Sequence, residues 1–238
     1  MSQSKVAVIL GAGPGLGAAI AHRFAQAGFT VGLMARKSEQ LTQIQSSIEK
    51  SGGRALAIPT DVTKKAAVET AFAQVRSQLD APEVFVYNTG IFQSGGILEL
   101  TPEQFEYCWQ VNCFGAFLGV QQVLPTMVER GRGTILLTGA TASLRSSARF
   151  SGLAVGKFGL RALAQSLARE FGPQGIHVAH IIVDGMIDTA RVREMAPDRT
   201  KQTMLAPEAI AETYWQLYTQ DATAWTLELD LRPAVEKF

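Results

Sequence analysis

A cluster of glycines follows the first apolar segment of the chain and directly precedes a predicted helix. Gly11, Gly15 and Gly17 have the spacing G-x-x-x-G-x-G, with Gly13 between them and Leu16 at the first predicted helical position. Free N–H groups at a helix N-terminus attract anions, and glycines let the backbone turn tightly and approach a phosphate. The pattern therefore predicts a pyrophosphate site. A tight turn that needs glycine only for its backbone angles has the same signature.

A basic pair, Arg36 and Lys37, follows the second predicted strand, and residues 34–37 contain no carboxylate. In dinucleotide sites, a carboxylate at this point binds the ribose 2′-hydroxyl of NAD, whereas a guanidinium accommodates the 2′-phosphate of NADP. The sequence therefore predicts NADP(H) as the cofactor, preferred over NAD(H). The alternative interpretation of the basic pair is a solvated turn.

Short apolar segments alternate with helical segments along the whole chain. Strands are predicted at residues 6–10, 30–34, 55–58, 83–87, 134–138, 177–183 and 226–229, with helices between them and one more at residues 207–218. Ser38 and Thr63 are predicted helix caps. Strands that are apolar on both faces and separated by helices are typical of a covered parallel sheet. The predicted fold class is α/β, a single-domain Rossmann fold over residues 1–238, with a doubly wound parallel sheet of about seven strands and helices on both faces.

Charge and cysteine content exclude several function classes. The net charge of +1 provides no overall field that would recruit nucleic acid or an anionic membrane. Cys108 and Cys113 have no cluster of further Cys or His beside them, so no metal site is predicted. The first residues lack the apolar core of a signal peptide, and no uninterrupted apolar run of about 18 residues occurs. We therefore expect a cytoplasmic protein with no membrane or nucleic-acid partner.

These features together resemble the short-chain dehydrogenase/reductase family, over residues 5–229. The glycine spacing is that family's, and Asn88 with Gly90 matches its turn after strand four. The resemblance implies an oxidoreductase that acts on a small-molecule substrate and assembles as a homodimer or homotetramer. The predicted cofactor-binding residues are Gly11, Gly13, Gly15, Leu16, Gly17, Arg36, Asp61, Val62, Asn88, Gly90, Lys157, Gly185, Ile187 and Thr189.

The resemblance extends only partly to the catalytic residues. Asn112 matches the asparagine of the family's proton relay, and Lys157 matches its active-site lysine. The family's catalytic tyrosine lies four residues before that lysine, where this chain has Leu153, and its substrate-orienting serine corresponds to Ala140. A phenol beside an ammonium group donates a proton and stabilises developing negative charge, and a leucine does neither. The sequence therefore predicts altered proton-donor chemistry.

Asp184 stands where the family usually has a proline, directly before Gly185, and is the predicted substitute acid. The predicted catalytic residues are therefore Asn112, Lys157 and Asp184. Hydroxyl groups close to the missing positions are alternatives, and they belong to Thr138, Thr141, Ser143, Ser146, Ser147 and Ser151.

Two functions of different classes remain open. The first is an NADP(H)-dependent oxidoreductase with altered proton-donor chemistry, whose substrate is a small carbonyl-like compound, an imine or an activated alkene. The second is a catalytically weak or inactive NADP(H)-binding protein that serves as a sensor, a scaffold or a partner subunit.

Overall fold

Seven parallel strands form one sheet in the computed structural model, which describes residues 5–235. Their order is β3-β2-β1-β4-β5-β6-β7. The order changes direction between β1 and β4, and doubly wound sheets bind ligands in the crevice at such a point. The predicted α/β Rossmann fold is confirmed. The strands are β1 Val6–Leu10, β2 Thr30–Ala35, β3 Arg54–Pro59, β4 Val84–Tyr87, β5 Gly133–Ala140, β6 Ile176–Val183 and β7 Glu228–Leu231.

Helices cover both faces of this sheet. One face packs against α1, α2 and α8, and the other packs against α3, α5 and α6. Successive strand residues point to opposite faces, so Val8 enters one core and Ile9 the other. The helices are α1 Leu16–Gln26, α2 Ser38–Lys50, α3 Lys65–Gln78, α4 Pro102–Trp109, α5 Gly115–Arg130, α6 Ser151–Phe171, α7 Ala190–Met195 and α8 Pro207–Tyr218.

A π-helical turn, Gln110–Phe114, joins α4 to α5 in one continuous helical segment. Thr101 and Gln104 form a capping box at its start. By length and composition alone, the segment Pro102–Arg130 could cross a membrane, but half of its most apolar window is buried inside this domain. Buried core helices of globular domains can have the same length and composition, and the burial of this segment is that of a core helix.

Two predicted helix caps are wrong. The residues at the cap positions of α2 and α3 are Lys37 and Lys64, and neither side chain accepts a capping hydrogen bond. Thr63 instead donates its hydroxyl to Asp61 Oδ1 at 2.8 Å, in a short turn that follows β3. The short helix α7 was not predicted from the sequence.

Candidate active site

The turn between β1 and α1 is held by hydrogen bonds from two neighbouring strands. The amides of Gly11 and Ala12 both donate to the Met34 carbonyl oxygen at the end of β2, at 2.7 and 3.0 Å. From the β4 side, Asn88 Nδ2 donates to the Gly11 carbonyl oxygen at 3.1 Å. No side chain caps α1, and its first turn contains no acidic residue. The positive end of the α1 dipole therefore has no anionic neighbour in its own first turn.

Close backbone approach explains the glycine spacing of this turn. A Cβ atom on Gly17 would lie 2.2 Å from the Gly11 carbonyl oxygen, and one on Gly11 would lie 2.5 Å from the carbonyl carbon of Asn88. Gly15 has a φ of 111°, in the region that favours glycine. The bare backbone and the uncapped helix N-terminus fit a pyrophosphate group, as the sequence predicts.

The turn after β6 forms the opposite wall. Gly185 has a φ of 152°, and the Thr189 methyl group lies so close to Gly15 that a Cβ there would be 2.7 Å away. Ile187 forms an isolated parallel bridge with Leu205, which fixes this turn against the start of α8. The two glycine-containing turns therefore meet across one groove.

The groove extends beyond the carboxyl ends of β2 and β3. There the exposed Arg36 donates Nη1–H to the Tyr107 hydroxyl of α4, at 2.6 Å. Asp61 Oδ1 accepts hydrogen bonds from the amide and the hydroxyl of Thr63, at 3.0 and 2.8 Å. Val62 is buried beside them. This end of the groove thus combines a cation, a carboxylate and an apolar side chain.

At the other end of the groove, Lys157 is buried and donates Nζ–H to the Thr138 carbonyl oxygen at 2.8 Å. Burial lowers the pKa of Lys157 to about 8, and Cys113 opposes the shift. Within residues 5–235, no carboxylate lies within salt-bridge distance of this ammonium group. The groove therefore contains a lysine that can exchange a proton close to neutral pH.

Asn112 lies in the π turn and is fully buried. Its Nδ2 donates to the carbonyl oxygens of Ile91 and Cys108, and its Oδ1 accepts from the Ile91 amide. The π turn thereby fixes the segment after β4 to α4, and such turns are frequent at functional sites. A Cβ on Gly90 would lie 3.4 Å from Asn112 Oδ1 and 3.7 Å from Lys157 Nζ, so the structure brings these three predicted residues together.

Three glycines on one side of α6 set its distance from the π turn and α4. A Cβ on Gly156 would lie 2.5 Å from Asn112 Cβ, and one on Gly159 would lie 2.9 Å from Cys113 Sγ. Gly152 contacts Cys108 in the same way. This close packing positions Lys157 and was not predicted from the sequence, where only the i, i+4 spacing of two of the glycines signals a helix face.

Ala140 is the last residue of β5 and lines the groove. Leu153 is partly exposed in the first turn of α6, four residues before Lys157. Neither side chain carries a proton donor. Of the alternative hydroxyl groups, Thr138 Oγ1 pairs with the buried Tyr214 hydroxyl at 2.7 Å, and Ser143 is fully buried.

Asp184 is not among the residues that line the groove. It is buried, and its carboxylate accepts from Thr141 Oγ1 at 2.5 Å and forms ion pairs with Arg145 at 3.5 Å and Arg232 at 3.9 Å. The Asp184 carboxylate oxygens thus face a hydroxyl and two guanidinium groups, all of which are hydrogen-bond donors.

One open groove of about 1330 Å³ is lined by the glycine turn, the turn after β6, Arg36 and Lys157, whereas Asn112, Leu153 and Asp184 do not line it. This volume exceeds the about 300–1,000 Å³ of a typical small-molecule pocket, so an elongated ligand fits best. Every predicted cofactor-binding residue lines the groove, namely Gly11, Gly13, Gly15, Leu16, Gly17, Arg36, Asp61, Val62, Asn88, Gly90, Lys157, Gly185, Ile187 and Thr189.

Comparisons with known proteins agree with this geometry. A family model described as short chain dehydrogenase matches residues 5–200. The chain belongs to the short-chain dehydrogenase/reductase family. It is similar to a curated short-chain dehydrogenase/reductase of Hericium erinaceus, with 35% identity over 199 residues, which are 79% of this chain and 77% of that protein.

Two solved structures of the family are also similar. A short-chain dehydrogenase from Rhodopseudomonas palustris has 38% identity and a TM-score of 0.84, with 98% of this chain and 100% of that chain covered. An alcohol dehydrogenase from Thermococcus sibiricus, solved with 5-hydroxy-NADP, has 27% identity and a TM-score of 0.87, with 98% of each chain covered. As a member of this family, the chain is an oxidoreductase with a site for a nicotinamide cofactor.

Proposed function

We propose that this chain is an NADP(H)-dependent oxidoreductase in which the usual tyrosine and serine are replaced by Leu153 and Ala140. The observation that carries the cofactor preference is Arg36, which lines the groove just beyond β2, together with the absence of a carboxylate from residues 34–37. A guanidinium at this point suits a 2′-phosphate. The similar Thermococcus sibiricus enzyme was solved with 5-hydroxy-NADP, which supports the same preference.

In this proposal, different residues of the groove bind different parts of the cofactor. The glycine turn with Leu16 would hold the pyrophosphate, and Asp61 and Val62 would hold the adenine. Lys157 would bind the hydroxyls of the nicotinamide ribose, and Gly185, Ile187 and Thr189 would hold the nicotinamide. The reduced cofactor, when bound, would supply a hydride.

Lys157 is the proposed proton donor. This end of the groove is lined by Thr138, Gly139, Ala140 and Lys157. Of these four described residues, only Lys157 has a titratable side chain. With a pKa lowered to about 8, its ammonium group is protonated at neutral pH and can transfer a proton from Nζ to a developing alkoxide. Asn112 ties the segment after β4 to α4, and its Cβ packs against Gly156 of α6, the helix that carries Lys157.

The proposed substrates are small carbonyl compounds, imines and activated alkenes, for which a strong protein acid matters less. The second candidate function is an NADP(H)-binding protein with little or no turnover. Leu153 and Ala140 favour it, because losing a general acid typically costs a factor of about 10²–10⁴ in rate.

A restored tyrosine and serine test whether the site is otherwise an intact site of this family. If the site is otherwise intact, Leu153→Tyr with Ala140→Ser creates or raises carbonyl reductase activity, by a factor on the order of 10² or more. Leu153→Phe with Ala140→Ser is the matched control, since it adds the ring without the hydroxyl. Activity that is equal in both variants would contradict the proposal of a vacated standard site.

Asp184→Asn tests the alternative proton donor. If Lys157 donates the proton, this variant oxidises NADPH at a rate close to that of the wild type, provided that its thermal stability is unchanged. Loss of NADPH oxidation in a folded Asp184→Asn variant would instead assign the acid role to Asp184.

We further propose that the protein is a homodimer or homotetramer in the cytoplasm, without a nucleic-acid or membrane partner. Trp109, Phe114 and Phe117 stack in a row along the segment that contains α4 and α5, with ring centroids 5.1 and 6.0 Å apart. Phe158 of the neighbouring α6 is 42% exposed. An apolar face of this kind is typical of a subunit interface, and a second copy of the chain would cover it.

A further inference from the structure

We propose that Tyr107 is a second protein ligand of the cofactor's 2′-phosphate and acts together with Arg36. This inference rests on the proposed preference for NADP(H) and names the residue of α4 that contributes to it. Tyr107 lies outside the strand–turn–helix region in which the sequence predicts the phosphate contacts.

The position of Tyr107 is the first observation. Its hydroxyl accepts a hydrogen bond from Arg36 Nη1 at 2.6 Å, although the two residues are 71 positions apart. Arg36 extends from the end of β2 and Tyr107 from α4, and both line the same groove. Any group that binds the Arg36 guanidinium within this groove therefore also lies close to the Tyr107 hydroxyl.

The hydrogen-bonding capacity of the phenol is the second observation. A tyrosine hydroxyl has one donor hydrogen as well as its acceptor sites. In residues 5–235 the Tyr107 hydroxyl accepts from Arg36 and donates to no protein group. Its proton thus remains available for a ligand in the groove. A phosphate oxygen is a strong acceptor for such a proton.

The third observation is that the Tyr107 ring packs against the hydrophobic core. The Tyr107 ring is partly buried and packs against the hydrophobic core that contains Val62 and Val111. Arg36 is exposed, and its guanidinium keeps four further N–H donors after the bond to Tyr107. A hydroxyl on a partly buried ring therefore orients an exposed cation, which reduces the entropy lost when a phosphate binds.

This arrangement distinguishes the two nicotinamide cofactors. NADP(H) presents a dianionic phosphate, which accepts from both the guanidinium and the phenol. NAD(H) presents only a ribose hydroxyl at that point, so it gains much less from the pair. Tyr107 is therefore a specificity-determining residue, and its contribution should be confined to the phosphorylated cofactor.

The test is a comparison of affinities that requires no turnover. The dissociation constants of NADPH and NADH are measured by calorimetry or nucleotide fluorescence for the wild type and for Tyr107→Phe, which removes only the hydroxyl. We expect Tyr107→Phe to weaken NADPH binding by about tenfold, since one hydrogen bond to a charged group is lost, and to leave NADH binding unchanged. Tyr218→Phe is the matched control, because Tyr218 bonds Lys5 and Glu83 away from the groove and should affect neither cofactor.

Coupling to Arg36 completes the test. In an Arg36→Ala background, Tyr107→Phe should change NADPH binding by less than it does alone, because the two side chains act on the same phosphate. NADPH affinity in Tyr107→Phe that equals or exceeds the wild-type value would overturn the inference, since the phenol would then be either irrelevant or a competitor for Arg36.

The two proposals fail in different ways. If Arg36→Ala weakens NADPH binding while Tyr107→Phe has no effect, the cofactor preference stands and only the role of Tyr107 is lost. If Arg36→Ala leaves the binding of both cofactors unchanged, Arg36 does not carry the proposed NADP(H) preference, and the role of Tyr107 is lost with it. If the wild type binds NADH as tightly as NADPH, the proposed preference itself is wrong.

Discussion

Replacing Lys157 by methionine should stabilise the cofactor-free protein while it weakens cofactor binding. Methionine keeps an unbranched side chain of similar length and removes the ammonium group. Nζ is buried and has one protein hydrogen bond, to the Thr138 carbonyl oxygen. Burial of this charge therefore lowers the stability of the cofactor-free protein. Functional sites often retain such destabilising groups because binding or catalysis requires them.

The magnitude follows from the pKa of Lys157. Burial lowers it from 10.5 to about 8, which corresponds to about 3 kcal/mol at neutral pH, where the group is charged in both the folded and the unfolded state. Loss of the hydrogen bond to Thr138 returns about 1 kcal/mol. We therefore expect the free energy of unfolding of Lys157→Met to exceed the wild-type value by about 2 kcal/mol at pH 7.

The difference also has a defined pH dependence. Between pH 8 and pH 10.5 the unfolded wild type binds more protons than the folded wild type at this residue, so the wild type gains stability as the pH rises. The methionine variant has no ionisable group at this position and lacks this pH dependence. The difference in stability between the two proteins should therefore be largest below pH 8 and should decrease above it.

The assay is urea denaturation at pH 7.0 and at about pH 9.5, with and without saturating NADPH. The exposed Lys50 provides the control, since Lys50→Met should show neither the stabilisation nor its pH dependence. NADPH should stabilise the wild type more than Lys157→Met, because the variant lacks the ribose contact. A variant that is less stable than the wild type at pH 7 in the absence of cofactor would refute the reasoning.

Three further predictions concern the fold, acid stability and assembly. Gly17→Ala should abolish NADPH binding and destabilise the fold, because its Cβ would lie 2.2 Å from the Gly11 carbonyl oxygen. Gly13→Ala, where a Cβ meets nothing within 4 Å, should leave the melting temperature nearly unchanged. Burial lowers the pKa of His180, so the unfolded state binds protons before the folded state does as the pH falls below about 6.5. The free energy of unfolding, measured by urea titration, should therefore decrease below that pH. The decrease should be smaller in His180→Gln. Phe117→Glu places a charge on the exposed apolar face and should shift the sedimentation coefficient towards the monomer, whereas an unchanged value would contradict that interface.

Much of the fold was predictable from local pattern. The strand β1 and the helix α8 begin and end as the sequence predicts, because each is a clean apolar segment or a proline-initiated helix. The cap at Thr63 was wrong, since the competing turn at Asp61 uses the Thr63 side chain, and Ser38 is the first helical residue of α2 and not its cap. The helix α7 was not predicted, because its short charged sequence resembles a loop.

The site was less predictable where distant elements meet. The glycine turn and Arg36 could be predicted, because their chemistry depends on residues close in sequence. The contact between Arg36 and Tyr107 could not, since no local spacing relates β2 to α4. Asp184 lies beside Gly185 as expected, but its side chain points to Thr141 and two arginines, an orientation that depends on tertiary packing.

Calorimetric titration of the purified protein with NADPH, and separately with NADH, tests the central claim most directly. We expect NADPH to bind to a single class of sites, at least about tenfold more tightly than NADH, since only the 2′-phosphate of NADPH binds the Arg36 guanidinium. The absence of saturable heat with both nucleotides, or tighter binding of NADH, would contradict it.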